Sequence, residues 1–124
     1  MTELILQRPA TSRVSWVQVC RIDDLEECWG EAALVGHEQI ALFRLPGDQL
    51  HAVGNIDPRT QAAVIARGIV GSRGAAPTIA SPLHKEVYDL ATGASLTGGT
   101  GLRTYPVRCV DGVVEMCVEV DVAA

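Results

Sequence analysis

The stretch Tyr105-Pro-Val-Arg-Cys-Val-Asp-Gly-Val-Val-Glu-Met-Cys-Val118 decides the fold of this chain. The dipeptide Asp111-Gly112 at its centre is a strong signal for a two-residue type I′ turn, which joins neighbouring antiparallel strands. Such a turn fixes which residues of the two strands face each other. The facing pairs on one side of the hairpin are Cys109 with Val114, Val107 with Met116, and Tyr105 with Val118. Because these residues are mostly apolar, we predict that this side packs against the core.

The same register separates the two cysteines of the hairpin. Cys109 is predicted to point inward and Cys117 outward, which excludes an intramolecular disulfide between them. On the outward side, Arg108 lies opposite Glu115 as a cross-strand charge pair. None of the four cysteines in the chain has another cysteine or a histidine within four residues. We therefore expect four reduced thiols and no zinc or iron–sulfur half-site built from them.

The rest of the chain also favours β-structure. Alternating apolar residues between turn signals predict strands at Val14–Val19, Glu31–Val35, Glu38–Leu45, Gln49–Val53, Thr78–Ser81, Glu86–Leu90 and Ala94–Leu96. The best helical candidate is Ile22–Cys28, with Asp23 or Asp24 as its N-cap and Gly30 as its terminator. Residues 54–74 are predicted to form a long loop punctuated by glycines. Roughly nine or ten short strands indicate an all-β sandwich or barrel.

The length and charge of the chain argue against several classes of function. The 124 residues are enough for one domain, and the formal net charge of −5 argues against nucleic-acid binding, which needs a basic surface. The longest apolar runs are too short to cross a bilayer, so no membrane partner is expected. The N-terminus lacks the apolar core of a signal peptide, and this predicts a cytoplasmic protein.

The sequence carries no motif of a self-contained enzyme. Its three histidines, His37, His51 and His84, are isolated, and no nucleophile–base pair follows from local spacing. It also lacks a nucleophile elbow, a zinc-protease helix, a phosphate-binding loop and a dinucleotide fingerprint. The chain is therefore not expected to be catalytic by itself.

One segment is more specific. Ala80-Ser-Pro-Leu-His-Lys85, followed by a Tyr-Asp pair and a Thr-Gly turn, resembles the second ligand loop of Rieske iron–sulfur domains, whose motif is Cys-Pro-x-His-Gly. Ser81 stands at the position of the cysteine, and His84 at that of the histidine. Where a Rieske domain has Cys-x-His after an earlier strand, this chain has Asn55-Ile-Asp-Pro58. Three of the four ligands that a 2Fe–2S cluster of this type requires are therefore missing.

This pattern of lost ligands resembles one family, the small subunit of assimilatory NAD(P)H nitrite reductase. The matching stretches are Trp16-Val-Gln-Val-Cys20, Ile22-Asp-Asp-Leu25, Ile40-Ala-Leu-Phe43, Asn55-Ile-Asp-Pro58, Arg67-Gly-Ile-Val-Gly71, Ala80-Ser-Pro-Leu-His-Lys85, Tyr105-Pro-Val-Arg108 and Asp111-Gly112. The resemblance extends from about Val14 to Val118. Its most specific parts are the Asn-Ile-Asp-Pro and Arg-Gly-Ile-Val-Gly stretches.

The resemblance divides the chain into three parts, namely an N-terminal extension at 1–13, a Rieske-like domain at 14–120 and a C-terminal tail at 121–124. It implies that Asp57, Ser81 and His84 occupy the former cluster positions and that the chain binds no metal or cofactor. The implied partner is a large subunit that carries FAD, a 4Fe–4S cluster and sirohaem. That subunit reduces nitrite to ammonium with NAD(P)H in nitrogen assimilation, and this chain would be its non-catalytic small subunit.

Charge is unevenly distributed along the chain. Residues 59–108 contain six basic and two acidic side chains, whereas the segments on both sides are acidic. A basic segment within an acidic protein indicates a docking surface. The docking candidates are Arg59, Arg67, Arg73, Lys85 and Arg103. In a Rieske-like fold the two ligand loops meet at one tip, so Arg59 should lie close to Lys85. Arg67 and Arg73 are expected at the same tip.

Two other functions stay open from the sequence. A degenerate Rieske-type ferredoxin would carry electrons itself and would show the brown absorbance of an iron–sulfur cluster. A free-standing β-barrel module would use the basic loops to bind a small anion, and it would form no stable complex with a sirohaem protein.

Overall fold

The computed structural model describes residues 12–83 and 86–121, which form ten β-strands. The strands are β1 (Ser12–Arg21), β2 (Gly30–Val35), β3 (Glu38–Leu45), β4 (Gln49–Gly54), β5 (Ile69–Arg73), β6 (Ala76–Ala80), β7 (Val87–Asp89), β8 (Thr104–Tyr105), β9 (Val107–Val110) and β10 (Val113–Asp121). The prediction of an all-β fold is confirmed. Residues 1–11 of the predicted extension and 122–124 of the predicted tail lie outside the described residues, as do His84 and Lys85.

The strands form three antiparallel sheets around two cores. Their strand orders are β1-β10-β9, β2-β3-β4-β8 and β5-β6-β7. Phe43 of β3 packs in one core with Ile79 of β6, whereas Leu42 packs in the other core with Met116 of β10. Successive side chains of β3 thus point to opposite faces of its sheet, and the side chains on both faces are buried. The sheet that contains β3 and β4 is therefore packed between the other two sheets.

The hairpin between β9 and β10 has the predicted turn and register. Asp111 and Gly112 have φ values of 51° and 80°, the left-handed conformations that a type I′ turn requires. The register pairs Cys109 with Val114 and Val107 with Met116. Arg108 Nε donates to Glu115 Oε1 at 2.7 Å, so the predicted cross-strand charge pair is confirmed.

Two details of the hairpin prediction are wrong. Tyr105 does not continue the ladder opposite Val118 but pairs with Ala52 of β4. The chain changes sheets at Pro106, which has no backbone N–H to donate. Cys109 was expected to point inward, and it is exposed because β9 is the short edge strand of its sheet. All four cysteines are free, as predicted.

The helical prediction for Ile22–Cys28 is also wrong, except for one 3-10 turn at Ile22–Asp24. Arg21, and neither of the two predicted aspartates, stands at the N-cap of this turn. Cys28 N donates instead to the Arg44 carbonyl at 2.7 Å, so tertiary pairing with β3 replaces the second helical turn. Gly30 begins β2. In the described part of the chain, no helix has the length and apolar composition needed to cross a membrane.

The predicted long loop at 54–74 contains a strand. After a 3-10 turn at Ile65–Arg67, β5 pairs with β6 from Ile69 opposite Ala80 to Arg73 opposite Ala76. Gly74, with a φ of 60°, makes the tight turn between them. The predicted strand at Ala94–Leu96 is reduced to a single bridge between Ser95 and Tyr88.

His51 of β4 makes the stability of the fold depend on pH. Its Nε2 is buried and has no hydrogen-bond partner among the described residues. Burial lowers the pKa of His51 below its ordinary value of 6.5, and the Asp89 carboxylate opposes this shift. As the pH falls below 6.5, His51 of the unfolded chain binds a proton. In the folded chain His51 binds this proton only at a lower pH. The free energy of unfolding therefore falls as the pH decreases through this window.

We predict that His51→Leu reduces this loss of stability in acid. Urea unfolding at about pH 7.5 and about pH 5.5 measures the loss for each protein. The wild type should lose more stability between the two pH values than the variant does. Gln49→Leu, which changes an exposed residue of the same strand, is the control and should behave like the wild type. Equal losses in the wild type and in His51→Leu would contradict the prediction.

Candidate functional site

The candidate site lies where two loops meet, one after β4 and one after β6. The first loop is held in place by Asn55, which is buried. Its side-chain Oδ1 accepts the backbone N–H of Ala66 at 2.8 Å, and its carbonyl accepts that of Ile65 at 3.1 Å. These bonds fold residues 55–66 back on the sheet, and they place the next polar residue, Asp57, in the interior.

Asp57 and Ser81, two of the predicted cluster positions, bond directly to each other. Ser81 Oγ donates to Asp57 Oδ2 at 2.7 Å. Asp57 is fully buried and Ser81 is 2% exposed. The other carboxylate oxygen of Asp57 accepts the backbone N–H of Arg59 at 2.8 Å. The two loops are therefore joined by a buried hydrogen bond between side chains that are 24 residues apart in sequence.

The region where these two loops meet is here called the tip, and Glu86 forms a second link across it. Its carboxylate accepts hydrogen bonds from the Thr97 hydroxyl and from Arg59 NH1, the latter at 3.2 Å. These hydrogen bonds hold the pKa of Glu86 below its ordinary value. Arg59 is therefore already neutralised by an acid of its own chain.

Tyr88 lies under this tip. It lines a surface cavity of about 230 Å³ together with Arg59 and Glu86. Burial raises the pKa of Tyr88, and the carboxylates of Asp57 and Glu86 raise it further. The hydroxyl therefore stays protonated, and its surroundings carry more negative than positive charge.

The structure gathers only some of the docking candidates at the tip. Arg59 lies at the tip. Arg103 lies beside the start of the first loop, because its carbonyl accepts the N–H of Gly54, the last residue of β4, at 2.8 Å. Arg67 is exposed and ends the 3-10 turn that closes this loop. Ile69 begins β5 and pairs with Ala80, which precedes the second loop. Arg73 lies at the other end of this strand, roughly 13 Å from Ile69. Its expected place at the tip is therefore wrong. His84 and Lys85 lie outside the described residues.

A cluster that the sequence did not reveal surrounds Arg103. Tyr105 donates its hydroxyl to Glu38 Oε1 at 2.8 Å, and Arg103 NH1 lies 3.3 Å from Glu38 Oε2. Burial, together with the hydrogen bond to Glu38, raises the pKa of Tyr105 to about 12. The cluster lines a cavity of about 340 Å³ beside Pro58. Glu38 and Tyr105 are 67 residues apart, so no local pattern could have linked them.

Comparison with known proteins gives the family of the domain. A family model described as Rieske-like [2Fe-2S] domain matches residues 15–117. The nitrite reductase (NADH) small subunit of Salmonella typhimurium is 37% identical over 103 residues, which are 82% of this chain and 95% of that protein. A crystal structure of a Mycobacterium tuberculosis protein described as an NADH-dependent nitrite reductase small subunit has a TM-score of 0.81 and 36% identity. The match covers 90% of this chain and 99% of that chain.

A third relative has a different chain organisation. The NAD(P)H nitrite reductase large subunit of Klebsiella oxytoca contains a 107-residue stretch that is 37% identical to this chain. The match covers 86% of this chain, which spans 11% of the length of that protein.

The residues at the tip do not fit the 2Fe–2S cluster that the family name implies. A Rieske cluster needs two cysteine thiolates on one iron and two histidines on the other. The described residues at these loops, Asn55, Asp57 and Ser81, offer only oxygen and amide donors, which suit iron–sulfur chemistry poorly. The Asp57 and Ser81 oxygens are moreover bonded to each other. No group of three or more His, Cys, Asp or Glu side chains in the described ranges could hold a metal ion.

We predict that Ser81→Ala destabilises the fold by about 1.5–3 kcal/mol, because it removes a buried hydrogen bond to a carboxylate. Ser72→Ala is the matched control, since Ser72 is exposed on β5, and it should change stability by less than about 0.5 kcal/mol. Urea unfolding at neutral pH measures both values. Equal effects of the two substitutions would show that the bond between the loops contributes nothing to stability.

We also predict that the purified protein contains no stoichiometric iron, because the donor set lacks the thiolates that hold such a cluster. The measurement is elemental analysis of protein produced in iron-supplemented cells, with a Rieske ferredoxin made in the same cells as the loading control. About two iron atoms per chain, with visible absorbance that is lost on chelation, would overturn the prediction.

Proposed function

This chain belongs to the small subunits of NADH-dependent nitrite reductase, a family with a Rieske-like domain, and we propose from that premise that it docks on the large subunit without a cluster of its own. The chain is a subunit of an oxidoreductase and supplies no reacting group. The large subunit reduces nitrite to ammonium with electrons from NAD(P)H, and the small subunit acts through the contact between them.

The buried bond between Asp57 and Ser81 carries this proposal. By the motif resemblance its two residues stand at positions where a Rieske ferredoxin holds its electron carrier, and a hydroxyl–carboxylate bond has no accessible redox state. Electron transfer must therefore run through cofactors on the partner. We assign FAD, a 4Fe–4S cluster and sirohaem to the large subunit and no cofactor to this chain.

Two observations support the partner and the compartment. The large subunit of Klebsiella oxytoca contains a stretch similar to this chain within one longer protein. A domain that is joined to a large subunit in one organism is a good candidate to bind it as a separate chain in another. The four free cysteines fit the reducing cytoplasm, where disulfides are rare.

The electrostatics of the tip disfavour the alternative of a small-anion module. Arg59 is paired with Glu86 at 3.2 Å, and Arg103 is paired with Glu38 at 3.3 Å. The two arginines beside the cavities are thus already neutralised, and the Asp57 carboxylate lies close by. A free anion would meet little net positive charge there.

Docking through the basic segment fits the charge distribution better. Between Pro58 and Lys85 the sequence contains three arginines and no acidic residue. Of these, Arg67 and Arg73 are exposed, and neither makes an ion pair within the described residues. Their guanidinium groups are therefore available for bidentate bonds to carboxylates of the large subunit.

We predict that the double variant Arg67→Ala and Arg73→Ala weakens binding to the large subunit about tenfold or more and lowers nitrite reduction in parallel. The fold should be unchanged, because both side chains are exposed. Titration of the large subunit at several salt concentrations measures the affinity, and the variant should show a weaker salt dependence.

The control is the double variant Arg13→Ala and Arg21→Ala, which removes the same charge from β1. It should bind like the wild type. Unchanged affinity and unchanged salt dependence of the Arg67→Ala and Arg73→Ala protein would place the docking surface elsewhere.

A further inference from the structure

A surface hollow of about 260 Å³ lies between the end of β1 and the strand β2. These two strands approach each other although they belong to different sheets. Each is an outer strand of its own sheet. The hollow is therefore formed where the edges of two sheets meet, and it shares no lining residue with the cavities at the tip and beside Pro58.

The inner wall of the hollow is apolar. Leu25 is 4% exposed and Leu42 is 1% exposed, and both line the hollow from the core that contains Met116. Val19 and Ala33 also line it, and they pack partly buried against the same core. Such a wall favours an aliphatic group, because contact with it removes apolar surface from water.

Two carboxylates lie at the rim of the hollow. Asp24 and Glu31 both line it, and both are exposed. Asp24 Oδ2 accepts the backbone N–H of Arg21 at 3.1 Å, a contact that brings no neutralising cation. Neither carboxylate makes an ion pair within the described residues. The rim therefore carries two negative charges that the described chain does not neutralise.

The thiol of Cys20, which also lines the hollow, lies close to both carboxylates. Burial raises the pKa of this thiol above its ordinary value of 9.0, and the charges of Asp24 and Glu31 raise it further. The two carboxylates thus act on one place, although they come from different segments of the chain. The thiol itself stays protonated and neutral at physiological pH.

Two arginines from adjacent segments are engaged elsewhere. Arg44 NH1 donates to the Leu25 carbonyl at 3.0 Å, but its NH2 is paired with Asp48 at 2.9 Å. Arg21 NH2 lies 2.9 Å from the position of a Cβ added at Gly112, so this side chain extends to the turn between β9 and β10. Both guanidinium groups therefore leave the charge of the rim available to a ligand.

Glu31 by itself has a simpler explanation. A charged side chain on an outer strand discourages pairing with other chains. That role requires neither an apolar hollow nor a second carboxylate beside it. The combination favours a ligand whose stem is aliphatic and whose end is positively charged, as in a lysine side chain.

We propose that this hollow, here named the β1–β2 hollow, binds the aliphatic ammonium group of a lysine side chain from a partner protein. The methylene groups pack on Leu25 and Leu42, and the ammonium group is held by the carboxylates of Asp24 and Glu31. Lysine suits two carboxylates from different segments because its compact charge has three rotatable donors on a flexible stem. The inference is independent of the proposed function, since the chain alone should bind such a group.

The test is a titration of the isotope-labelled full-length chain with n-butylammonium chloride, which is the four-carbon ammonium of a lysine side chain. Two-dimensional NMR at constant ionic strength follows the backbone resonances. Those of Cys20, Glu31 and Ala33 should shift saturably. Ammonium chloride, which lacks the aliphatic part, and n-butanol, which lacks the charge, should each bind about tenfold more weakly or worse.

Two variants show whether the rim charge matters. Glu31→Gln should raise the dissociation constant for n-butylammonium about fivefold or more, because it removes one of the two charges. Glu27→Gln is the control, since it removes the same charge from an exposed residue that does not line the hollow, and it should change the constant less than about twofold. The NMR spectrum of each variant shows that it is folded. Equal dissociation constants for the two variants, binding of n-butanol as tight as that of n-butylammonium, or shifts that never saturate would each overturn the inference.

Discussion

The hydrogen bond between Ser81 Oγ and Asp57 Oδ2 is the constraint on which the tip of the molecule depends. It is a buried side-chain link between the loops after β4 and β6, and without it the carboxylate of Asp57 would lose a buried hydrogen-bond donor. The bond fixes the position of Arg59, whose backbone N–H is held by the same carboxylate.

The same constraint bears on the proposed role of the chain as a partner-binding subunit. A buried hydrogen bond stabilises loops but offers no redox chemistry, and under the proposed function the domain therefore has a Rieske-like fold without carrying electrons itself. What remains available to the chain is binding. Arg67, which is exposed and makes no ion pair within the described residues, ends the 3-10 turn that closes the first of these loops. Under the proposed function, the domain is a binding scaffold with a Rieske-like fold.

Local signals in the sequence were sufficient for much of the fold. Asp111-Gly112 specifies both the turn and the register of the last hairpin, because a type I′ turn leaves no alternative pairing. The strand β5 was missed because Gly68 and Gly74 resemble loop punctuation. They serve instead a close backbone contact and a tight turn at the two ends of a short strand.

The candidate site could be predicted only in part. A motif resemblance predicted Asp57 and Ser81 as former cluster positions, but their direct bond joins loops that follow strands of different sheets and has no local signature. The exposed Cys109 and the Glu38–Tyr105 pair were missed for the same reason, since burial and contact at these positions depend on which strands become neighbours. Tertiary pairing also removed most of the helix predicted after Arg21.

The central claim is that this chain binds a cofactor-bearing large subunit while holding no redox group itself. The most direct measurement is size-exclusion chromatography of the tagged chain purified from its native host, with the absorbance spectrum of each peak recorded. We expect the chain to co-elute with a large protein that shows flavin and sirohaem absorbance, and the chain separated from that complex to be colourless. A chain that elutes alone, or that retains iron–sulfur absorbance after separation, would contradict the account.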